Sequence, residues 1–319
     1  MRTGTRDAAP VTRFRHDALF YAGTDQFVER TAAFIDDSVA RREPILVVVS
    51  AEKIELLRGR LGGEPDGVRF ADMAQIGQNP ARIIPAWREF VAEQAPSGRP
   101  FRGIGEPIWA ERSASELIEC ERHEALLNLA FADAPAWWLA CPYDTRSLAP
   151  SVLEEAKRNH PHVVEGNERH ESRTYRGLGD VAAPFDEPLP EPTGNPVRYV
   201  FGADAEPLSA VRGFVGKAAA AIGLDPARTA DLVLIVNEVA TNSIRHGGGS
   251  GVLRIWEDGS SLIAEVSDAG RIEDPLVGRD RPATDRGSGF GLWLANQLCD
   301  LVQIRTFPTG SVVRLHVVR

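Results

Sequence analysis

Hydrophobic and polar positions follow two different patterns along the chain, and the change falls near its middle. In the first half, short apolar runs at residues 18–22, 44–49 and 136–141 alternate with segments of helical periodicity. Apolar strands between helices are typical of a parallel sheet that helices cover on both faces. The first half is therefore predicted to be an α/β domain, a doubly wound and mostly parallel sheet of about five strands.

The second half predicts strands joined in hairpins. Residues 253–256 and 262–266 flank Asp258-Gly259, and residues 302–318 contain a second such pair. An Asp-Gly turn between apolar runs is a strong hairpin signal. We expect an α+β sandwich here, with one layer of helices on a mixed, largely antiparallel sheet.

A proline-rich segment separates the two halves, with prolines at positions 184, 188, 190, 192 and 196. Each proline removes a backbone donor and restricts the residue before it, so this tract favours an extended linker over a packed helix. The predicted organisation is a domain at residues 13–164, a linker at 165–196 and a second domain at 197–319.

One helix of the second half carries polar side chains at four-residue spacing. Glu238, Asn242 and His246 share one stripe, and the following glycines end the helix. The opposite stripe is apolar: Leu232, Ile235, Val236 and Val239. A carboxylate, an amide and an imidazole on one face suit a magnesium–nucleotide site, although a solvated surface face alone would give the same pattern.

Two further motifs strengthen the nucleotide hypothesis. Asp268 and Gly270 end a predicted strand, where a carboxylate can accept a hydrogen bond from an adenine amino group. A glycine-rich loop then runs into a helix at Gly287, Gly289, Gly291 and Leu292. Backbone N–H groups there would face a phosphate. Each motif is weak alone, but the three in this order within about sixty residues are specific.

The three motifs resemble the N, G1 and G2 boxes of the GHKL, or Bergerat-fold, ATPases, and most closely those of the anti-sigma-factor serine kinases. The resemblance implies that ATP and Mg²⁺ are the cofactors, that Asn242 coordinates Mg²⁺, that Glu238 is the catalytic acid/base residue and that Asp268 reads adenine. The other box residues are expected to contact the nucleotide: His246, Gly270, Gly287, Gly289, Gly291 and Leu292. One departure is Ile272, where the family often has a second glycine.

For function, the resemblance implies a serine/threonine kinase that phosphorylates a STAS-type anti-sigma-factor antagonist and sequesters a sigma factor. The short charged segment 271–286 is interpreted as a mobile lid over the nucleotide. A homodimer is compatible with the resemblance, since related kinase domains commonly dimerise. Two alternatives stay open: an ATP-gated binding module without phosphotransfer, and an atypical histidine kinase, against which the lack of an adjacent helical hairpin argues.

The first half resembles the MEDS sensory domain over residues 13–164. The resemblance rests on Phe20-Tyr21, Gly105-Glu106-Pro107, Cys141-Pro142-Tyr143-Asp144 and Asn159-His160-Pro161. It implies a small-molecule signal at the C-terminal edge of the sheet, where ligands bind in open α/β folds. The candidate lining residues are Glu106, His123, Tyr143 and Asp144. Cys141 is expected to belong to the core, and a metal role for His160 would need ligands that the sequence does not place nearby.

Composition indicates which partners and which cellular location to expect. A net charge of −9 gives no general attraction to nucleic acid, so any effect on transcription is expected to act through a protein partner. The three scattered cysteines suit a reducing cytoplasm. No apolar run approaches the eighteen or so residues of a membrane span, and the N-terminus lacks an apolar export segment. We therefore expect a cytoplasmic protein with no membrane contact.

Overall fold

In the computed structural model of the protein, the residues described are 13–166, 168–179, 181–202, 207–282 and 290–319. The chain divides into two compact units, Met1–Val181 and Ala182–Arg319. No helix within the described ranges is both long and apolar enough to cross a membrane.

The first unit is built on a seven-stranded sheet with the order β3-β2-β4-β5-β1-β6-β7. Its strands are β1 (Arg15–Tyr21), β2 (Ile45–Val49), β3 (Val68–Asp72), β4 (Phe101–Gly105), β5 (Trp137–Asp144), β6 (His162–Glu165) and β7 (Glu168–Glu171). Every pairing is parallel except that of β6 with β7. The predicted doubly wound, mostly parallel sheet is confirmed, with more strands than the five expected.

Six α-helices connect these strands: α1 (Thr24–Ala40), α2 (Ala51–Leu61), α3 (Met73–Ile76), α4 (Ile83–Gln94), α5 (Ala114–Ala130) and α6 (Pro150–Asn159). All five residues of β2 are buried, which shows that both faces of the sheet are covered at this strand. The start of α5 is fixed by a reciprocal capping box, in which Ser113 and Glu116 each satisfy the other's backbone N–H.

The second unit is a two-layer sandwich. Its strands are β8 (Val197–Gly202), β9 (Ser250–Asp258), β10 (Ser261–Asp268), β11 (Leu301–Phe307) and β12 (Gly310–Val318), in the order β11-β12-β10-β9-β8. Its helices are α7 (Leu208–Ala221), α8 (Pro226–His246) and α9 (Phe290–Leu298). Apolar side chains of the helices, such as Val215 and Ile235, form one buried core with Leu253 and Ala264 of the sheet. The predicted sandwich is confirmed.

The sheet of the second unit differs from the prediction in one respect. All four pairings between described strands are antiparallel, whereas a mixed sheet was expected. Two of them are hairpins, and a hairpin necessarily pairs its strands antiparallel. The turn from β9 to β10 passes through Gly259 at a φ of 58°, as the Asp-Gly signal predicted.

The segment expected to be a linker makes specific contacts within each unit. Its first part, Glu168–Glu171, forms strand β7 of the first unit. Its later part contacts the second unit's sheet: Arg314 donates to the Pro190 carbonyl at 2.9 Å, and Arg254 pairs with Glu191 at 2.9 Å. Residues 190–191 are therefore held against β9 and β12.

Candidate functional site

Helix α8 presents the polar stripe that the sequence predicted. Asp225 caps its N-terminus by accepting from the N–H groups of Ala227 and Arg228, and Pro226 stands in the first turn. The four apolar residues expected to face the core are all buried: Leu232, Ile235, Val236 and Val239. On the other stripe, Glu238 and Asn242 are half-buried, whereas His246 is exposed.

The carboxylate of Asp268, at the end of β10, joins three parts of the unit. Its Oδ2 accepts a 2.6 Å hydrogen bond from Ser243 Oγ of α8. Its Oδ1 accepts from the backbone N–H of Gly270 at 2.8 Å and from Ser311 Oγ of β12 at 3.0 Å. Helix, strand end and neighbouring strand therefore converge on one acidic group. Sequence reasoning found Asp268 but not its two serine partners.

Two glycines allow the end of β10 to approach the end of α8. A Cβ at Gly247 would collide with the Asp268 carboxylate, and one at Gly270 would lie 2.6 Å from the His246 carbonyl oxygen. The Ala269 N–H also donates to the Gly247 carbonyl at 3.2 Å. Since any side chain at these positions would separate strand from helix, the two motifs are packed as one local structure.

The start of α9 lies against the polar stripe of α8. A Cβ at Gly291 would lie 3.1 Å from Glu238 Cβ and 3.2 Å from Asn242 Nδ2. Leu292 is 8% exposed and belongs to the core. The structure thus brings Gly291 together with Glu238 and Asn242. The other two predicted loop glycines, Gly287 and Gly289, lie outside the described residues.

Part of the segment interpreted as a lid is packed against the unit. Ile272 and Val277 pack against the core, and the side chain of Asn296 in α9 donates to the Gly278 carbonyl at 2.8 Å. Gly278 has a φ of 72°, and a Cβ there would lie 2.9 Å from Leu292 backbone atoms. Residues 272–278 are therefore fixed to α9 and the core. Residues 283–286 of the predicted lid lie outside the described part of the chain.

In the first unit, Glu106 lies at the C-terminal edge of the sheet, directly after β4. Lys53 Nζ, from the first turns of α2, contacts both Glu106 oxygens at 2.7 and 2.6 Å, and Tyr21 OH, at the end of β1, donates to Oε1 at 2.5 Å. Burial raises the pKa of Glu106, and the Lys53 ammonium opposes that rise. Sequence reasoning missed Lys53, although its place just after an apolar strand puts it at this edge.

Of the other three predicted sensory residues, Asp144 lies at the same sheet edge as Glu106, whereas Tyr143 and His123 are buried. Asp144, the last residue of β5, accepts from the backbone N–H groups of Gly23 and Arg146 at 3.0 Å, at the same sheet edge as Glu106. Tyr143 is buried, and its ring stands edge-on to that of His160. His123 is 1% exposed on α5. The structure therefore brings Glu106 and Asp144 to one edge of the sheet and places Tyr143 beside a different group.

That group is a buried cluster of four potential metal ligands: His16, Glu124, Cys141 and His160. It lies between the sheet and helices α5 and α6, and no member is more than 1% exposed. The sequence signal was weak, because the four residues are spread over four separate elements. Cys141 at the end of the apolar run 136–141 was one hint.

Two protein families match the chain, one in each unit. Residues 15–161 match the family described as the methanogen/methylotroph, DcmR sensory domain, or MEDS. Residues 201–317 match the histidine kinase-like ATPase domain family. No curated protein sequence matches the chain. Among solved structures, it is similar to the RsbU and RsbW domains of a Mycobacterium tuberculosis protein, with 22% identity over 39% of this chain and 32% of that one, at a TM-score of 0.30.

The chain therefore joins a sensory domain to an ATPase domain of the GHKL class. More specifically, an N-terminal MEDS domain precedes a C-terminal histidine kinase-like ATPase domain. Both domain types are those that the sequence motifs predicted. The match covers only 32% of the mycobacterial chain.

Proposed function

We propose that the second unit binds ATP with Mg²⁺ and transfers the γ-phosphoryl group to a serine or threonine of a partner protein, under control of the sensory unit. The observation that carries the proposal is the juxtaposition of Glu238 and Asn242 with Gly291, next to a strand end that carries the Asp268 carboxylate. A metal ligand, a proton acceptor and backbone donors are the groups that phosphoryl transfer needs.

The Asp268 carboxylate is suited to accept a hydrogen bond from adenine. An ionised carboxylate offers about four acceptor positions, and three are taken by Ser243, Gly270 and Ser311. One position on Oδ2 is left for the exocyclic amino group of adenine. Because the three donors fix the orientation of the carboxylate, this acceptor is already aligned before the nucleotide binds.

The contact between α8 and α9 is suited to binding the phosphates of ATP. Gly291 lacks a side chain, so the N-terminus of α9 comes close to the side chains of Glu238 and Asn242. Asn242 would hold the Mg²⁺ through its amide oxygen, and Mg²⁺ when bound with ATP neutralises charge on the phosphates. Glu238 accepts the proton of the attacking hydroxyl as the oxygen–phosphorus bond forms and ADP leaves.

The partner chemistry follows from the resemblance of the three boxes to the anti-sigma-factor serine kinases. We take a STAS-type antagonist as the phosphate acceptor and a sigma factor as the protein sequestered by the same unit. The histidine kinase alternative with His123 as the acceptor is disfavoured because His123 is 1% exposed, so ATP could not reach its ring without local unfolding.

Incubation with γ-labelled ATP, Mg²⁺ and a STAS-domain protein tests the proposal. Alkali-labile, acid-stable label on the STAS protein is expected, as for phosphoserine. Glu238→Ala should keep ATP affinity in calorimetry but lose transfer, whereas Glu257→Ala, an exposed carboxylate on β9, should retain both.

Two results would overturn the proposal. Acid-labile label on the protein itself would indicate a phosphohistidine, and full transfer by Glu238→Ala would remove that residue from the mechanism. Binding of ATP is tested separately by Asp268→Asn, which should abolish it; an unchanged affinity would show that the adenine assignment is wrong.

A further inference from the structure

The four residues of the buried cluster in the first unit direct their metal-binding atoms at one point. His16 Nε2 lies 3.1 Å from Glu124 Oε2 and 3.3 Å from Cys141 Sγ, and His160 Nε2 lies 3.2 Å from Glu124 Oε2. All four ligand atoms lie within 4.8 Å of one another. The cluster joins β1, β5, α5 and the residue that follows α6.

Hydrogen bonds at the far side of each imidazole fix the tautomers. Asn128 Nδ2 donates to the Asn159 carbonyl at 2.7 Å, so its Oδ1 faces His16 and accepts from Nδ1 at 3.1 Å. His160 Nδ1 lies 2.7 Å from the Ala156 carbonyl, which can only accept. In its neutral form each ring therefore carries its proton on Nδ1, and its Nε2 turns a lone pair toward Glu124.

At the centre of the cluster, the hydrogen-bond acceptors of the two imidazoles therefore face the hydrogen-bond acceptors of the Glu124 carboxylate. Two imidazole lone pairs meet a carboxylate oxygen that has no proton to offer when ionised. Glu124 Oε1 is also buried and has no hydrogen-bond partner among the described residues. A cation bound at this point would satisfy these buried lone pairs together.

We propose that His16, Glu124, Cys141 and His160 bind one Zn²⁺ ion in a closed, four-coordinate site. Two nitrogens, one thiolate and one carboxylate are a ligand set that Zn²⁺ accepts, and four protein ligands are typical of structural sites. This site is separate from the nucleotide site and does not depend on the proposed kinase activity.

Geometry and charge both suit this ion. Tetrahedral Zn²⁺ places its ligand atoms about 3.3–3.6 Å from one another, and three of the distances present are 3.1, 3.2 and 3.3 Å. One thiolate and one carboxylate neutralise the two charges of the ion, so the buried site carries no net charge. Binding forms two Zn–N bonds, one Zn–O bond and one Zn–S bond, and the Cys141 thiol proton leaves to solvent.

The hydrogen bonds around the four ligands are typical of a metal centre. The Nδ1 atoms of both histidines bond to oxygens, Asn128 Oδ1 and the Ala156 carbonyl, which is the outer-shell pattern that orients zinc-ligating imidazoles and raises their basicity. Zn²⁺ would therefore tie two neighbouring strands of the sheet to helices α5 and α6. The ion would stabilise the first unit by binding its folded form.

Metal analysis of the full chain tests the site. We expect one Zn²⁺ per chain after dialysis against trace Zn²⁺, and one Co²⁺ after replacement, with the near-ultraviolet charge-transfer band of a Co²⁺–thiolate bond. Chelation should lower the melting temperature of the first unit by several degrees. A Co²⁺ complex without the thiolate band, or a metal content near zero, would overturn the proposal.

Cysteine variants provide the matched control. Cys141→Ser should lose the thiolate band and most of the bound metal, whereas Cys120→Ser should keep both, because Cys120 is equally buried but its sulfur lies 3.3 Å from the Pro107 carbonyl. Equal loss in both variants would contradict the assignment. Should Cys141→Ser fail to fold, the Co²⁺ spectrum of the unaltered protein still decides whether a cysteine ligates the ion.

Discussion

Ser243 of α8 donates a 2.6 Å hydrogen bond to Oδ2 of Asp268 at the end of β10. The same hydroxyl lies 3.2 Å from the Val239 carbonyl one turn earlier in the helix. A hydroxyl has one proton, and the shorter bond to a charged acceptor is the stronger. The serine therefore orients the carboxylate rather than the helix backbone.

Ser243→Ala should weaken ATP binding about tenfold, since a hydrogen bond to a charged group contributes about 1.5 kcal/mol or more. The carboxylate would keep its bonds to Gly270 and Ser311, so binding should be reduced rather than lost. Calorimetric titration with ATP and Mg²⁺ measures the effect.

Thr241→Ala is the matched control for Ser243→Ala. It removes a hydroxyl from the same helix, but that hydroxyl donates to the Asn237 carbonyl, at 2.7 Å, and not to Asp268. ATP affinity should stay unchanged. Similar losses in both variants would mean that the effect arises from the helix as a whole and not from the Asp268 carboxylate.

Gly291→Ala should lower ATP affinity by tenfold or more while the unit stays folded. The new Cβ would lie 3.1 Å from Glu238 Cβ and 3.2 Å from Asn242 Nδ2, so it would push α9 away from the polar stripe of α8. Alanine is otherwise the better helix former by about 1 kcal/mol. Nucleotide titration measures the loss of ATP affinity, and circular dichroism shows whether the unit stays folded.

Gly213→Ala controls for the gain in helix propensity. Gly213 lies in α7, and nothing is within 4 Å of the position that its Cβ would take. This variant should be slightly more stable, by about 0.4–1 kcal/mol, with normal ATP affinity. If Gly291→Ala behaved in the same way, the close approach of α9 to Glu238 would have no role in binding.

The nucleotide motifs could be predicted from sequence because each is local. Helical spacing alone puts Glu238 and Asn242 on one face, and Asp268 stands at the end of an apolar strand. The partners of Asp268 are not local: Ser311 is 43 residues away along the chain. Its contact depends on the pairing of β10 with β12, which hydrophobic patterns do not specify.

The buried cluster of the first unit also depends on strand pairing that the sequence does not specify. His16 and Cys141 are 125 residues apart, and they meet because β1 and β5 are neighbours in the sheet. Strand order in a parallel sheet is set by crossover connections that leave no local signal. The sequence therefore predicted Cys141 as a core residue and gave no ligands to His160, whereas the fold supplies three.

Lys53→Met should destabilise the first unit by about 3–5 kcal/mol at pH 8. Glu106 is 4% exposed, and the variant would leave its charge with only the Tyr21 hydroxyl as partner. Burial already raises the pKa of Glu106, and loss of the ammonium raises it further. Because protonation relieves the buried charge, the destabilisation should shrink as the pH falls toward 5. Urea unfolding at both pH values measures this.

Lys157→Met is the comparison for Lys53→Met. Lys157 also pairs with a carboxylate, at 3.0 Å, but that partner, Glu154, is 51% exposed. Removing such a surface pair should cost less than about 1 kcal/mol at either pH. A Lys53→Met variant with a small and pH-independent cost would show that Glu106 is not confined to its buried position.

Glu121 in α5 should make the first unit less stable as the pH rises. Burial, and then the charge of Glu155, raise the pKa of Glu121 to about 7, with Arg176 opposing them. The folded state therefore holds this proton more tightly than the unfolded state does. The resulting stabilisation is complete below the unfolded pKa of about 4.3 and is lost as the pH rises through about 7.

Glu121→Gln removes this titration. The variant should come close to the parent at pH 4, below the unfolded pKa, and exceed its stability at pH 8, by about 1–2 kcal/mol once solvent screening of the partly exposed carboxyl is allowed for. Urea unfolding followed by tryptophan fluorescence at the two pH values gives the comparison. Glu154→Gln, on the exposed face of α6, should show no such difference. An equal effect of Glu121→Gln at both pH values would mean that its carboxyl titrates as it does in the unfolded chain.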